Sequence, residues 1–450
     1  MAAAVGQFAV DEPARSRDRP QSARSSDAEP ERGRRQPDLD GESQRGRGGT
    51  PDSKSDVGDR CDTRMKQGKA RGERHEAMGV VRHRLGVARV AARRDEHLRN
   101  EAGATLTELM AGVVITLLVA AAGFTVLTSS EKAATVNEQT AQTQQNGRVA
   151  MELVARDLKM AGFGLVSGGG TINNCTAAGS TVPILPLDNT PAGADTGPDS
   201  VRLVVPTRLS TLNGQHPAAP PAAITQLALQ AGAVASMGIT TNQSVSVNGA
   251  ASGNIQSIAG DTLTLTNPIA APALFPGGTV VYWMQCITYA ITSNATKCAG
   301  SGPCLLRGIR DTTVADINLD PNMVPIADGI EDLQLAYACD GCTGTAVPDG
   351  IVDDQNANGN FDAGDFISNN AWATAPMTPE KIRLVRVTVV ARQPREDLGL
   401  GEGKSEVQAT GPVIVEDHNP SSDAGFVSSE YSHFRRRVLT RTVQLRNVGL

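Results

Sequence analysis

A single carboxylate lies just inside an uncharged apolar segment, and this combination limits what the chain can fold into. Glu108 follows the sequence Gly103-Ala104-Thr105-Leu106-Thr107, and the run from Leu109 to Leu127 has no charged residue. At ~1.5 Å rise per residue, such a run is about long enough to cross the hydrocarbon core of a membrane as a helix. A charged side chain near the centre of a membrane helix costs about 2.5 to 3.5 kcal/mol on insertion scales. We therefore expect Glu108 to have a partner or a task.

Basic residues precede the apolar run and predict its orientation. Because lysine and arginine accumulate on the cytoplasmic side of a membrane span, this side of the run is expected in the cytoplasm and the rest of the chain outside it. The residues concerned are Arg82, Arg84, Arg89, Arg93, Arg94 and Arg99.

The segment resembles the N-terminal motif of the type IV prepilin family, in which a glycine is followed by Thr/Ser-Leu-x-Glu and an apolar helix. The match comprises Gly103, Thr105, Leu106, Glu108 and Leu109. The resemblance implies that a prepilin peptidase cuts after Gly103 and that the new amine of Ala104 is N-methylated. It also implies that Glu108 pairs with the N-terminal amine of a neighbouring subunit, a pairing that is favourable for two opposite charges in a membrane. Ala104 departs from the family, which usually has phenylalanine at this position. This departure weakens the expectation of methylation more than the expectation of cleavage.

Two other interpretations of the apolar run stay open. An ordinary signal peptide has a basic start, a short apolar core and a small-residue cleavage site, which Ala120-Ala121-Ala122 would supply. The position of Glu108 at the start of the apolar core argues against it. The run would also serve as a plain, uncleaved membrane anchor.

The part of the chain before the motif differs in composition from the rest. Residues 1–77 are rich in Arg, Asp, Ser, Gly and Pro, and they have too few apolar side chains to offset chain entropy, so we expect disorder there. Leaders of the resembled family are short, which favours a true start near Met78 and a leader over residues 78–103. The alternative is a basic tail that binds acidic lipid or nucleic acid.

The chain beyond residue 100 is acidic. Residues 1–100 contain 22 of the 42 Lys and Arg residues and 17 of the 48 Asp and Glu residues, so the remainder has 20 basic against 31 acidic residues. This balance disfavours nucleic-acid binding by charge.

Six cysteines follow the apolar run, and an even number in an exported region favours disulfides. Their spacing makes Cys298 with Cys304, and Cys339 with Cys342, the local candidate pairs, although six cysteines allow fifteen pairings in general. Cys339-Asp-Gly-Cys342 would alternatively form half of a zinc site, but the sequence offers no second such pair. The six are Cys175, Cys286, Cys298, Cys304, Cys339 and Cys342, and Cys61 lies before the run.

The order of predicted elements indicates an α+β fold. No proline occurs between Pro51 and Pro183, and residues 104 to about 161 are expected to form one long helix that ends at Gly162 and Gly164. Residues 104–165 would then be a transmembrane and shaft helix whose second half packs through Val149, Leu153 and Leu158 on a β-rich head over residues 166–450. Alternating apolar patterns predict strands that form an antiparallel sheet. These strands are expected at 201–205, 244–247, 262–266, 280–283, 287–291, 333–337, 382–391 and 440–445.

Several segments resemble the PilW subgroup of minor pilins. The resemblance extends over most of residues 104–450, although the N-terminal motif is its most specific part. The segments are Ala155-Arg-Asp-Leu-Lys-Met-Ala-Gly162, Ile330-Glu-Asp-Leu-Gln-Leu-Ala-Tyr337, Ile382-Arg-Leu-Val-Arg-Val-Thr-Val-Val-Ala-Arg392 and Arg436-Arg-Val-Leu-Thr-Arg-Thr-Val-Gln-Leu-Arg-Asn447.

A candidate calcium loop occupies residues 354–365. Its sequence fits D-x-[DN]-x-[DN]-G with a carboxylate at the twelfth position, the spacing of an EF-hand-type loop. Gly359 would permit the sharp turn, Asn360 would offer its carbonyl, and Asp365 stands where glutamate is usual. Three carboxylates and two amides predict the modest affinity of an extracellular calcium site; the alternative is a solvated Asn/Gly turn. The candidate ligands are Asp354, Asn356, Asn358, Asn360, Asp362 and Asp365.

Enzyme signatures are not found in the sequence, and we expect no catalysis. Leu398 to Ser405 approaches a phosphate-binding loop but has Leu398 where glycine is required. The histidines beyond residue 103, which are His216, His418 and His433, lie outside known catalytic motifs. Arg435-Arg436-Arg437 fits a solvated strand edge or a contact with an acidic neighbouring subunit.

Taken together, these features predict a minor type IV pilin that helps to prime pilus assembly. Its expected partners are other pilin subunits, the assembly machinery, the prepilin peptidase and the inner membrane, and its final location is the pilus at the cell surface. The open alternatives are a type II secretion pseudopilin, a membrane-anchored calcium-dependent adhesin and an exported enzyme.

Overall fold

A computed structural model describes most of the chain beyond the motif. The described residues are 105–166, 170–187, 197–270, 273–299, 302–343, 347–369, 372, 375–397 and 411–448. The expected disorder of 1–77, the leader 78–103, the processing residues Gly103 and Ala104, Cys61 and the segment Leu398 to Ser405 therefore lie outside the described residues.

The long helix α1 covers Leu106–Met160, 55 residues, which confirms the predicted single helix. It ends where predicted, since Ala161 leaves the helical conformation and Gly162 and Gly164 adopt φ values of 79° and 83°. Residues 106–126 are exposed throughout, whereas buried residues appear from Thr143 onwards. The helix thus has a bare first half and a second half that is packed on the head.

The packed face of α1 differs from the predicted one. It consists of Gly147, Ala150, Met151, Val154, Ala155 and Leu158, whose spacing of three and four residues places them on one side of a helix. Val149 is 41% exposed, because it lies off this stripe. Leu153 is half-buried, so Leu158 alone of the three predicted residues is in the core.

Antiparallel strands make up the head, as the α+β prediction required. Two shorter helices, α2 (Ala233–Met237) and α3 (Ser428–Ser432), lie between them. The strands are β1 (Thr176–Ala177), β2 (Ser180–Thr181), β3 (Ile184–Leu187), β4 (Ser200–Thr211), β5 (Ile224–Ala228), β6 (Ser244–Val247), β7 (Ala251–Ala259), β8 (Thr262–Ile269), β9 (Val280–Thr292), β10 (Cys304–Gly308), β11 (Val324–Asp328), β12 (Ile330–Cys339), β13 (Ile382–Arg392) and β14 (Arg436–Gln444).

The strands form separate sheets, whereas the sequence predicted one antiparallel sheet. A large sheet has the order β11-β10-β9-β6-β7-β8-β5, and β4, which also pairs with β3, lies on the other edge of β9. A second sheet has the order β12-β13-β14, and β1 pairs with β2. The two strands predicted at 280–283 and 287–291 are one continuous strand, β9.

Two main hydrophobic cores hold these layers together. The first lies between α1, β4, β9 and the three-stranded sheet, and Leu158, Tyr289 and Val387 are among its buried members. The second lies within the β5 to β8 region, around Leu227, Ile255 and Leu263. The first core positions the helix, and the second belongs to an extension of the large sheet.

Candidate functional site

The N-terminus of α1 is closed by a capping box that uses the carboxylate singled out in the sequence. The Thr105 hydroxyl accepts the Glu108 N–H at 3.3 Å, and the Glu108 carboxylate accepts the Thr105 N–H at 3.0 Å. Glu108 therefore satisfies the backbone donor of the second residue after the predicted cleavage site. A negative charge in the first turn also interacts favourably with the helix dipole.

The first half of α1 presents a continuous apolar surface. Leu109, Leu117, Leu118 and Phe124 are each between 64% and 67% exposed. By length and composition, α1 is the helix within the described residues that can cross a membrane. Such an exposed apolar surface indicates contact with lipid or with other helices.

A buried polar cluster fastens the second half of α1 to the large sheet. Asp157 of α1 is 2% exposed, and its Oδ2 accepts the Tyr289 hydroxyl at 2.7 Å and the Arg307 Nε–H at 2.8 Å. Burial and, after it, the negative charge of Asp157 raise the pKa of the Tyr289 hydroxyl, which stays protonated and donates. Sequence reasoning missed this cluster, because its members lie far apart in the chain and no local motif connects them.

The candidate calcium loop is a curled segment whose acidic side chains accept its own amide groups. The Asp354 carboxylate accepts the N–H groups of Asn358 at 3.2 Å and Gly359 at 2.5 Å. Gly359 has φ 87°, a left-handed conformation that glycine adopts without steric strain. Asn358 Oδ1 accepts the Asn360 N–H at 2.8 Å. The first half of the loop thus turns around the side chains that the sequence pattern selected.

The second half of the loop closes on Asp365, which is fully buried. Its carboxylate accepts the N–H groups of Asp362 at 2.6 Å and Gln355 at 2.8 Å. These bonds, the one from Asp362 first, hold the pKa of Asp365 below its usual value. Asp362 in turn accepts the side-chain amides of Asn356 at 3.2 Å and Asn358 at 2.8 Å. The structure therefore brings five of the six predicted ligand side chains into one hydrogen-bonded network, which Asn360 joins through its backbone.

The C-terminal end of the loop is attached to the three-stranded sheet. Tyr337 and Ile367 exchange backbone hydrogen bonds at 2.8 and 2.9 Å, and Arg386 donates to the Ala363 carbonyl at 3.0 Å. The Arg386 guanidinium also stacks 4.5 Å from the centre of the Phe366 ring. A rigid frame of this kind reduces the ordering cost of any ligand that the loop takes up.

All six cysteines beyond the helix form disulfides. Cys298 is joined to Cys304 and Cys339 to Cys342, the two local candidate pairs, and Cys175 is joined to Cys286 across 111 residues. Among the described residues, the group of three possible metal-ligand atoms within 4.8 Å of one another consists of Cys339, Cys342 and Asp353. Because the two sulfur atoms are bonded to each other, they are not available to zinc as thiolates.

A buried histidine between two carboxylates is a second feature that sequence reasoning did not find. His418 is 2% exposed; its Nδ1 lies 2.7 Å from Asp332 and its Nε2 lies 3.0 Å from Asp423. Burial alone would lower the pKa of His418, but its hydrogen bond to Asp332 and the charges of both carboxylates outweigh it and raise the pKa to about 9. The imidazolium ties the segment that follows residue 411 to strand β12.

The three consecutive arginines are not a uniform solvated edge. The side chain of Arg436 is buried in the head, where only 1% of it is exposed. Its guanidinium pairs with both carboxylate oxygens of Glu331. Arg435 pairs with Asp397, whereas Arg437 is exposed. The solvated-edge interpretation therefore holds for Arg437 and is wrong for Arg436, because the side chain of Arg436 points into the head.

Comparison with known proteins gives one match. Residues 288–447 match the family model described as Type IV Pilus-assembly protein W. The matched region contains strands β10 to β14, the loop 354–365 and the His418 cluster. No curated protein and no solved structure matches the chain. Over residues 288–447, the chain is therefore similar to the PilW family of type IV pilus-assembly proteins.

Proposed function

We propose that the protein is a minor type IV pilin, a structural subunit that enters the pilus and helps to prime its assembly. The observation that carries this proposal is the division of α1 into a bare apolar half and a half packed on the head. The bare half is held by lipid before assembly and by the helices of other subunits afterwards. The match to a pilus-assembly family supports the same function.

In this proposal, Glu108 makes the contact that places one subunit against the next. Its carboxylate accepts the N–H of Thr105, the first described residue, at 3.0 Å. The positive amine of a neighbouring subunit would satisfy the same carboxylate in an apolar environment, where opposite charges attract strongly.

The test combines processing with assembly in the organism that makes the protein. We expect mass spectrometry to find a mature N-terminus at Ala104 and deletion of the gene to remove surface pili while exoprotein secretion continues. Glu108→Gln should reach the membrane at normal levels but be depleted from sheared pili, while Glu138→Gln, a matched change at an exposed position of α1, should assemble normally.

Three outcomes would contradict the proposal. A mature N-terminus after Ala122 would identify a cleaved signal peptide. Loss of exoprotein secretion with intact pili would identify a pseudopilin. Normal pili that contain Glu108→Gln at the wild-type level would remove Glu108 from the assembly contact.

A calcium ion bound in the loop 354–365 is a further part of the proposed function. The loop offers carboxylate and amide oxygens in the spacing that calcium prefers, and Gly359 already has the backbone conformation that such a loop needs. A bound ion would stabilise the folded head outside the cell.

A further inference from the structure

Among the described residues, the last strand, β14, pairs with another strand along only one of its edges. It forms the end of the sheet β12-β13-β14 and pairs antiparallel with β13 from Arg436 to Gln444 without a shift in register. It contains no proline and no bulge, the usual protections of an exposed edge. A long, regular edge of this kind is a template for one more strand.

The hydrogen-bond pattern identifies which backbone groups are open. Gln393 N–H donates to Arg435 O at 3.0 Å and Leu445 N–H donates to Arg383 O at 2.9 Å, so odd-numbered residues of β14 bond to β13. The even-numbered residues direct their N–H and C=O groups away from β13. Beyond Arg436 there are four of them, Val438, Thr440, Thr442 and Gln444, and their backbone groups make no hydrogen bond within the described part of the chain.

The side chains around this edge are exposed and basic. All four even-numbered residues have exposed side chains, and Val438 is 45% exposed. On the opposite face, Arg437 is exposed and Arg441 is partly so, although Glu152 pairs with it at 2.9 Å, and Arg446 is exposed just beyond the end of the strand. The edge thus combines unused backbone donors and acceptors with exposed arginines, and the segment 436–446 contains no acidic residue.

We propose that β14 binds an extended acidic segment of a partner protein, which adds to the sheet as a fourth strand. The partner's backbone would bond to these four residues, and its carboxylates would meet Arg437 within the strand and Arg446 just beyond its end. Backbone pairing supplies affinity, and the positive charges of the two arginines select acidic over basic segments. This inference concerns a different surface from α1 and from the loop 354–365, so it does not depend on either proposal made for them.

The test uses the full chain in detergent and two labelled eight-residue peptides, (Val-Glu)4 and its basic counterpart (Val-Lys)4. We expect fluorescence anisotropy to show at least tenfold tighter binding of (Val-Glu)4. Hydrogen exchange should show new protection of the amides of residues 438, 440, 442 and 444 when that peptide is bound. Protection confined to other residues would show attraction by charge without strand addition and would overturn the proposal, as would equal affinity for the two peptides.

Two variants separate the two components of the contact. Thr442→Pro removes an outward N–H and leaves the ladder with β13 in place, so it should weaken binding at least tenfold relative to the control Thr442→Val. Arg437→Glu combined with Arg446→Glu changes exposed side chains and should reverse the preference between the peptides. If Thr442→Pro does not fold, the double variant with Arg437→Glu and Arg446→Glu still tests the proposal. If this variant still binds (Val-Glu)4 more tightly than (Val-Lys)4, the proposal is overturned.

Discussion

The hydroxyl of Tyr289 in strand β9 donates to the carboxylate of Asp157 in α1 at 2.7 Å, and both side chains are buried. Arg307 of β10 supplies the compensating charge through a second contact at 2.7 Å. A carboxylate buried in this way is tolerated because its lone pairs are occupied by these donors. The cluster therefore determines where along its length the helix meets the sheet.

Removal of the Tyr289 hydroxyl should loosen this attachment. We expect Tyr289→Phe to reduce the free energy of unfolding by about 2 kcal/mol, since a hydrogen bond to a charged group is lost. Asp157→Ala should cost roughly 3 kcal/mol, because it leaves Arg307 without its partner. Urea denaturation measures both, and Tyr282→Phe, a hydroxyl deletion on the same strand outside this cluster, is the control. Equal stability of the two Tyr→Phe variants would show that the Tyr289 bond does not hold the helix.

The close approach of α1 to the three-stranded sheet at Gly147 should make that position intolerant of large side chains. A Cβ atom there would lie 2.8 Å from Leu439 Cδ1 and 3.2 Å from Ala391 Cβ. We expect Gly147→Leu to destabilise the protein by about 1 to 3 kcal/mol through overpacking. Gly123→Leu, where a Cβ meets nothing within 4 Å, should leave the melting temperature of the head unchanged. A Gly147→Leu variant as stable as wild type would contradict the close contact.

The His418 cluster predicts a loss of stability at alkaline pH. The folded protein holds the pKa of His418 at about 9, above the value of ~6.5 expected in the unfolded chain. Protonated His418 therefore contributes on the order of 3 kcal/mol to the free energy of unfolding. This contribution is fully present below pH ~6.5 and is lost as the pH rises through 9. Urea midpoints from pH 6 to 10 should therefore decline more steeply for wild type than for His418→Gln. Parallel curves for the two proteins would show that His418 is not held as an imidazolium.

Two of the disulfides should differ in how much they contribute to the free energy of unfolding. Cys175–Cys286 closes a separation of 111 residues and Cys298–Cys304 a separation of 6. By loop-closure entropy, we expect about 5 kcal/mol from the first and about 2 kcal/mol from the second. Paired Cys→Ala variants, followed by guanidinium denaturation, compare them directly. A larger loss on removal of the short loop would rule out the entropic explanation for this protein.

Calcium should stabilise the protein through the loop 354–365. We expect the melting temperature of wild type to rise with millimolar calcium and to return with EGTA, since a ligand that binds only the folded state stabilises it. Asp354→Ala should abolish the response. Asp349→Ala, a change outside the loop, should retain it. A wild-type melting temperature that is insensitive to calcium would refute the site.

Local signals in the sequence were sufficient to predict the long helix and several strands. The uninterrupted run before Gly162 has no proline and ends at residues with positive φ, and Ser244–Val247 has the predicted bounds. Strand β7 was not predicted, because Ala251-Ser-Gly-Asn has little intrinsic strand preference. It forms because the turn at Asn248 and Gly249, with φ 54° and 73°, folds it back onto β6.

The candidate site, like the fold, was predicted from the sequence only where its residues are close together in the chain. The loop 354–365 was predicted because its residues are neighbours in the chain, and its calcium ion stays a prediction. The Asp157 and His418 clusters were not predicted, since their partners are separated by 132 and 86 residues. Such contacts depend on strand order, which alternation of apolar and polar residues does not specify.

The Cys175–Cys286 disulfide has a mechanical consequence for a subunit that is pulled along its helix. Tension that leaves the end of α1 passes through a short stretch of chain to Cys175 and then, by a covalent bond, directly into strand β9. The β-hairpins between these two cysteines are thereby taken out of the load path. The head would then resist traction through β9 and its pairing with β10, while the hairpins between the two cysteines lie outside the covalent path.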